Sequence, residues 1–165
     1  MFFYQIDRLL GLVDEELHTH LKEEGLSSTL FASAWFITVF SSLLRENAAN
    51  GVVNESLLKI WDQFLCKGWK AIVKVSTYTL TAHRFEIKDL PFEDILPEIS
   101  EYVKELLQQD RVGLLFDDVK REFKGLNFSF HLTKLANEFE ESHREVKLQP
   151  LKNKQLQLDQ LPKKF

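Results

Sequence analysis

Several residue types that point to particular classes of protein are scarce in this chain of 165 residues. A single cysteine, Cys66, excludes an internal disulfide and fits a reducing compartment. Four prolines and six glycines favour long helices over many turns. The formal net charge of -4 argues against nucleic-acid binding, because a phosphate-binding face needs clustered lysine and arginine. The length predicts one domain with a real core.

The sequence also lacks the usual features of a signal peptide and of a membrane-spanning segment. The start, MFFYQIDR, lacks a basic region ahead of its apolar residues, so no signal peptide is predicted. Residues 27–44 carry no charge and approach the length of a membrane span. They include seven serines and threonines, and their dense apolar part covers only residues 30–40. This segment therefore predicts a buried core helix rather than a span of about 20 residues.

Apolar residues at helical spacing predict an all-α, multi-helical fold of about seven or eight helices. The first covers residues 3–12, and Asp14 caps a short second helix that ends at Gly25. An apolar helix then runs from Ser27 or Ser28 to Leu44 and is expected at the centre of the core. Residues 45–56 read as a loop.

The second half of the chain continues this pattern. Asn54 or Ser56 opens a helix that stops at Gly68. Residues 69–83 are rich in β-branched side chains, but a lone strand would leave its backbone unpaired, so a buried helix is favoured. Pro91 begins an amphipathic helix, and another covers about 113–123. Ser129 is expected to cap the last helix, with Phe130 inward. The predicted domain is 1–148, followed by a disordered polar tail at 149–165.

Catalytic and metal chemistry have little support in the residues alone. The five histidines are scattered, and no tight ligand cluster predicts a metal site; no cofactor is expected. Cys66 lies among apolar residues and is expected to be a buried, inert thiol. The chain contains no G-x-S-x-G, no glycine-rich phosphate loop and no H-E-x-x-H. On its own chemistry the sequence predicts no active site.

Two segments nevertheless carry a recognisable pattern. Residues 14–44, DEELHTHLKEEGLSSTLFASAWFITVFSSLL, precede residues 57–80, LLKIWDQFLCKGWKAIVKVSTYTL. Together they resemble the TBC domain of Rab GTPase-activating proteins, specifically its C-terminal half. The matching positions form three groups in the family's order: Leu17, His20 and Leu21; Trp35, Phe36 and Phe40; Trp61, Asp62, Phe64 and Gly68.

The resemblance implies structural roles for these ten residues. Trp61, Phe64 and Leu65 are expected to pack their helix into the core, and Gly68 to permit a sharp exit. Asp62 is expected to accept hydrogen bonds from backbone or a neighbouring helix, with direct partner contact as the alternative. The apparent insertion at residues 45–56, which lacks the family's proline, departs from the pattern.

The resemblance also implies a function and a deficiency. TBC proteins stimulate GTP hydrolysis by Rab GTPases with an arginine from I-x-x-D-x-x-R and a glutamine from Y-x-Q. This chain is expected to lack both fingers, because they precede the matched part. Tyr4-Gln5 has the wrong spacing for Y-x-Q. Asp118 and Arg121 have the spacing of the arginine motif but lie where the family carries no finger, so they predict an exposed helix pair.

Three functional interpretations stay open. The first is the C-terminal half of a Rab GTPase-activating TBC domain, inactive alone, whose partner is a Rab-type small GTPase. The resemblance places such a protein in the cytoplasm and at endomembrane surfaces, reached through its partner. The second is a non-catalytic helical module that binds a small GTPase or a trafficking complex. The third is a truncated gene product whose apolar faces would lie exposed.

Overall fold

The computed structural model describes residues 1–44, 54–108 and 112–159 of the chain. Every regular element within these ranges is helical, which confirms the all-α prediction. The α-helices are α1 (Phe2–Val13), α2 (Glu15–Glu23), α3 (Ser28–Thr38), α4 (Glu55–Lys67), α5 (Trp69–Ala82), α6 (Arg84–Ile87), α7 (Phe92–Gln108), α8 (Val112–Glu122) and α9 (Phe128–Asp159), with a 3-10 turn at Ser41–Leu44. The predicted loop lies mostly at 45–53, outside the described residues.

Helix α1 lies at the centre of the packing. It contacts α2, α3, α5 and α9. Its buried face carries Ile6, Leu9 and Leu10, which are 2% exposed or less, at the spacing expected from the sequence. The buried amide of Gln5 donates from Nε2 to the carbonyl of Leu132 at 2.9 Å. This bond fixes α1 against α9 and satisfies a polar group that would be costly to bury unpaired.

Helix ends follow the capping residues in the first half of the chain. The Asp14 carboxylate accepts a hydrogen bond from the Leu17 amide at 3.0 Å and starts α2. Asn54 likewise accepts from the Leu57 amide at 2.8 Å and starts α4. Its own Nδ2 donates to the Leu107 carbonyl at 3.0 Å, which joins α4 to the end of α7. Both capping predictions are confirmed.

The apolar segment that begins α3 does not continue as one helix to Leu44. Helix α3 ends at Thr38, and Val39 and Phe40 take positive φ angles of 48° and 63°. A β-branched residue at positive φ is strained. Burial of both side chains offsets that strain, since each is at most 5% exposed. No described helix is long and apolar enough to cross a membrane.

The exposed side of α3 corrects a second expectation. The helix was predicted to be surrounded by core, yet Leu30 is 55% and Ile37 82% exposed. The buried side carries Phe31, Ala32, Trp35 and Phe36 instead. An apolar composition on all sides therefore does not mean that every side is covered in this fold.

Residues 69–82 form the buried helix that the sequence favoured over a strand. Ile72, Val73 and Leu80 are fully buried in α5. The hydroxyls of Thr77 and Thr79 donate to the carbonyls one turn earlier, at 2.9 and 3.0 Å. These bonds satisfy the hydroxyls without a neighbouring strand, so a threonine-rich segment can be buried as a helix.

The C-terminal helix departs from the sequence prediction at both ends. Asn127, rather than Ser129, caps α9 by accepting from the Phe130 amide at 3.1 Å. Phe130 is 61% exposed, whereas Phe128 is 4% exposed and packs inward. The predicted disordered tail is helical as far as Asp159, and residues 160–165 lie outside the description. Lysine, glutamine and leucine are good helix formers, and extending an existing helix needs no new nucleus.

Candidate functional site: the tryptophan surface

The three groups of motif residues occupy different environments. In the first group, Leu17 and Leu21 are at most 3% exposed and pack α2 against α1. His20 is half-buried, and its Nε2 lies 3.0 Å from the Leu90 carbonyl. One turn further, the Glu24 carboxylate accepts from the Phe92 amide at 2.8 Å. These residues join α2 to the start of α7, so their role is structural.

The second group forms an aromatic core. Trp35 is 2% exposed, and its ring stacks on Phe40 at 5.4 Å between centroids with planes 17° apart. Phe36 is 5% exposed and stacks on Phe2 at 5.4 Å and on Trp69 at 5.7 Å. The left-handed turn after α3 brings Phe40 back over Trp35. Aromatic pairs at such distances stabilise a fold beyond the area they bury.

The third group behaves differently from the prediction. Ile60, which is 1% exposed, is the side chain that anchors α4 in the core. Trp61 is 37% and Leu65 75% exposed, so the expectation that they pack inward is wrong. Phe64 is half-buried beneath Trp69, with ring centroids 4.9 Å apart. The helix is amphipathic, but its buried stripe lies one residue away from the predicted one.

Asp62 also lies in solvent. It is exposed, and no hydrogen bond or ion pair ties it to another described side chain or backbone group. The expected role as an acceptor for a neighbouring helix is therefore not observed among the described residues. The arrangement therefore places an exposed tryptophan next to a carboxylate that has no partner within the described ranges.

We call the exposed face of α4 and its continuation the tryptophan surface; it consists of Leu58, Trp61, Asp62, Leu65 and Trp69. The first four recur at helical spacing and share one side of α4. Trp69 continues the face at the start of α5, because the rings of Trp61, Phe64 and Trp69 contact in series. Large exposed apolar patches of this kind mark interaction sites on soluble proteins.

Gly68 sets the angle between the two helices that carry this surface. Its φ of 63° and ψ of -154° belong to a region that is essentially restricted to glycine. Its amide donates to the Phe64 carbonyl at 2.7 Å, and its carbonyl accepts from the Ala71 amide at 3.0 Å. One residue thus ends α4 and starts α5, as the sequence predicted for a sharp exit.

Other candidate residues do not assemble into a catalytic or metal centre within the described part. Cys66 is exposed on α4, contrary to the expectation of burial, because it follows Leu65 on the outer side of the helix. Arg121 is exposed near the end of α8, and the side chain of Asp118 lies outside the described set. Among the described residues no three histidine, cysteine or carboxylate side chains come together at a spacing suited to a metal ion.

One polar cavity joins residues that no sequence motif links. His18 and His131, 113 residues apart in the numbering of the chain, line the same cavity of about 310 Å³ together with Asp7. A Cβ at Gly11 would lie 3.1 Å from Nδ1 of His18, so the glycine lets the ring approach α1. Burial raises the pKa of the Asp7 carboxyl, opposed by hydrogen bonds from Ser28 and by His18. No local signal links these residues, because packing of α9 on α1 creates the cavity.

Comparison with known proteins identifies the family. The Rab-GTPase-TBC domain family matches residues 1–88, which contain all ten motif residues. The chain belongs to the Rab-GTPase-TBC domain family. The matched part includes α1 to α6, the aromatic core and the whole tryptophan surface. No solved structure matches the chain.

Curated relatives of this TBC chain are similar at modest identity. Rab GTPase-activating protein eat-17 of Caenorhabditis elegans is 29% identical over 113 residues, 68% of this chain and 12% of that protein. TBC1 domain family member 1 of Bos taurus is 27% identical over 137 residues, 78% of this chain and 11% of that protein. The Drosophila melanogaster ecotropic viral integration site 5 ortholog is 28% identical over 93 residues, 56% and 10% of the two chains. This TBC chain spans about a tenth of the length of these relatives.

Proposed function

We propose that this chain is the C-terminal half of a TBC domain that activates a Rab-type GTPase and holds that GTPase through the tryptophan surface. The membership in the family supports the GTPase as the partner. The observation that carries the contact is the exposure of Trp61 beside the carboxylate of Asp62, which has no partner among the described residues. Tryptophan is enriched among the residues that dominate binding energy, and a nearby charge supplies orientation. Such a protein acts in the cytoplasm at endomembrane surfaces, which it reaches through its partner.

Stimulation of GTP hydrolysis in this mechanism depends on the arginine and glutamine finger motifs. An arginine finger stabilises charge on the transferring phosphoryl group, and a positioned glutamine orients the attacking water. Neither I-x-x-D-x-x-R nor Y-x-Q occurs in these 165 residues. Supplied in trans, an arginine finger accounts for roughly 10³ to 10⁵ in rate. The chain therefore contributes binding and positioning, and the fingers have to come from elsewhere.

The isolated chain is expected to leave GTP hydrolysis by Rab GTPases unchanged. The measurement is phosphate release from a panel of purified, GTP-loaded Rab proteins with and without the chain. A stimulation of about a hundredfold that disappears in Arg121→Ala would overturn the assignment and make Arg121 the finger.

A chimera tests whether this chain can complete an active TBC domain. Replacing the 113 aligned residues of Rab GTPase-activating protein eat-17 with those of this chain keeps that protein's upstream sequence. We expect the chimera to stimulate hydrolysis by about a hundredfold or more over the unassisted Rab. A folded chimera without stimulation, beside an active parent, would contradict the C-terminal-half assignment.

Direct binding is expected to depend on the tryptophan surface. Trp61→Ala and Leu65→Ser should each weaken binding to the best Rab of the panel by about tenfold or more, because they remove apolar area from the contact. Binding is measured by calorimetry with the Rab loaded with a non-hydrolysable GTP analogue and, separately, with GDP. Phe130→Ala is the matched control, since Phe130 is an equally apolar, 61% exposed side chain on α9.

The exposed tryptophan surface also favours a second candidate, a non-catalytic binding module. The two candidates separate in the same experiments. Nucleotide-dependent binding that requires Trp61, together with an inactive chimera, supports the module. An active chimera supports the GTPase activator.

A further inference from the structure

A second surface feature lies between α4, α5 and α8, away from the ring series that carries the tryptophan surface. It is a cavity of about 120 Å³. Three lysines line it, Lys67 from α4, Lys74 from α5 and Lys120 from α8, and none of the described side chains in its lining is acidic. We call it the lysine cavity. In a chain of net charge -4, a cavity lined by three cations is a local reversal of the overall charge.

The wall of the lysine cavity is apolar. Val75 and Val119 are each 2% exposed, Ala71 is 7% exposed, and the half-buried Phe116 completes the wall. Lys67 and Lys120, by contrast, are exposed and therefore lie at the rim. For size, an engineered apolar cavity of about 150 Å³ binds benzene. The lysine cavity is somewhat smaller, so it has room for one branched aliphatic side chain or for the inner part of an aromatic ring whose outer edge stays at the rim.

Lys74 connects the wall to the rim. Its ammonium lies 5.3 Å from the ring centre of Phe128 and 5.9 Å from that of Phe123. These cation–π contacts hold the amine in place over the aromatic rings. Burial lowers the pKa of Lys74, and the charges of Lys67, Lys70 and Lys120 lower it further. An incoming carboxylate would relieve both effects, because it favours the charged form of the amine.

The rim lysines are held only by weak partners. Lys120 pairs with Asp117 at 3.0 Å, and both side chains are at least 65% exposed. Lys67 donates to the amide oxygen of Gln63 one turn earlier. An exposed ion pair contributes little to stability, so an acidic ligand can replace these contacts at little cost.

We propose that the lysine cavity is a docking site for an acidic protein segment in which one apolar side chain is flanked by carboxylates. The apolar side chain fills the space between Val75, Val119 and Phe116, and the carboxylates reach the rim lysines. A phosphate group alone fits less well, because it could use the lysines but would leave the apolar wall of Val75, Val119 and Phe116 without a partner. The site is independent of the proposed GTPase contact.

The test is a titration of the whole chain with a capped, fluorescein-labelled peptide of sequence Gly-Glu-Glu-Phe-Glu-Glu-Gly, followed by fluorescence anisotropy. We expect saturable binding that weakens about tenfold or more in the double variant Lys67→Gln/Lys120→Gln, because both rim charges are lost. Replacing the glutamates of the peptide by glutamine, or its phenylalanine by alanine, should weaken binding similarly. The pKa of Lys74, followed by NMR of its side-chain carbon, should rise when the peptide binds.

Matched controls separate the cavity from general charge attraction. Lys59→Gln/Lys134→Gln removes the same charge from two lysines outside the cavity, whose side chains are 41% and 62% exposed, and should leave the affinity within about twofold, because distant surface charges are screened. Trp61→Ala should also leave it unchanged. Equal losses in the two double variants, or equal binding of the glutamine peptide, would overturn the proposal. Binding of inorganic phosphate or of anionic phospholipid vesicles at the rim lysines without binding of the peptide would overturn it as well.

Discussion

Trp35→Ala is expected to lower the free energy of unfolding by about 3–5 kcal/mol. The side chain is 2% exposed and contacts Phe31 and Phe40, with ring centroids 5.6 and 5.4 Å away. Truncation removes a large apolar area from the core and leaves a cavity, which the strained turn at Val39 cannot easily close. The measurement is urea denaturation followed by circular dichroism, since the variant removes one of the three tryptophans that fluorescence would report.

Ile37→Ala is the matched control for this variant. Ile37 lies two residues further along α3 and is 82% exposed, so its truncation should change the free energy of unfolding by at most about 0.5 kcal/mol. The comparison contrasts a buried with an exposed apolar side chain on the same helix. Equal losses for the two variants would mean that the outer side of α3 is covered in solution, in conflict with the structure.

The sequence was sufficient to predict elements whose ends are set by one residue. Asp14 and Asn54 carry the side chains that satisfy the first amides of a helix. Position 68 needs backbone angles that essentially only glycine adopts. These signals are local, so they can be recognised in the sequence without knowledge of the fold. Composition alone does not decide between a helix and a strand for residues 69–82. Burial and the hydrogen bonds of the threonine hydroxyls stabilise the helix.

Errors occur where the fold, rather than the local sequence, decides. Helix α3 ends at Thr38 without glycine or proline, because stacking of Phe40 on Trp35 compensates for strained backbone. Trp61 and Phe130 were assigned to the core because they are large and apolar. Periodicity identifies an apolar stripe but does not say whether another helix covers it. For that reason the sequence predicted which residues belong to the family pattern, but not which of them face solvent.

The candidate sites divide in the same way. The tryptophan surface is contained in one segment, and the sequence pattern marks Trp61, Asp62 and Leu65 within it, but not the direction in which they face. The lysine cavity joins α4 and α5 to α8, and Lys120 lies 46 residues after Lys74 in the chain numbering. Lys67 and Lys74 lie on neighbouring helices joined at Gly68, and only packing brings the third lysine to them. Sites of this kind cannot be read from one sequence.

Ile60→Ala is expected to lower the free energy of unfolding by about 2–5 kcal/mol, whereas Trp61→Ala lowers it by about 1 kcal/mol or less. Ile60 is 1% exposed on α4, a helix that packs on α5 and α8, and its truncation leaves a cavity in the core. Trp61 is the larger residue, but 37% of it lies in solvent and its ring contact is the edge of Phe64 at 6.0 Å. Chemical denaturation of both variants, followed by circular dichroism, provides the comparison.

The two neighbouring variants also separate stability from function. We expect Ile60→Ala to bind a Rab GTPase normally at a temperature where it is folded, because the side chain does not reach the surface. Trp61→Ala should fold normally and lose binding. If Trp61→Ala were more destabilising than Ile60→Ala, Trp61 would belong to the core. The tryptophan surface would then be excluded as a contact site. On the proposed function, the large tryptophan beside an aspartate faces a partner, while the smaller, buried isoleucine before it holds the helix in place.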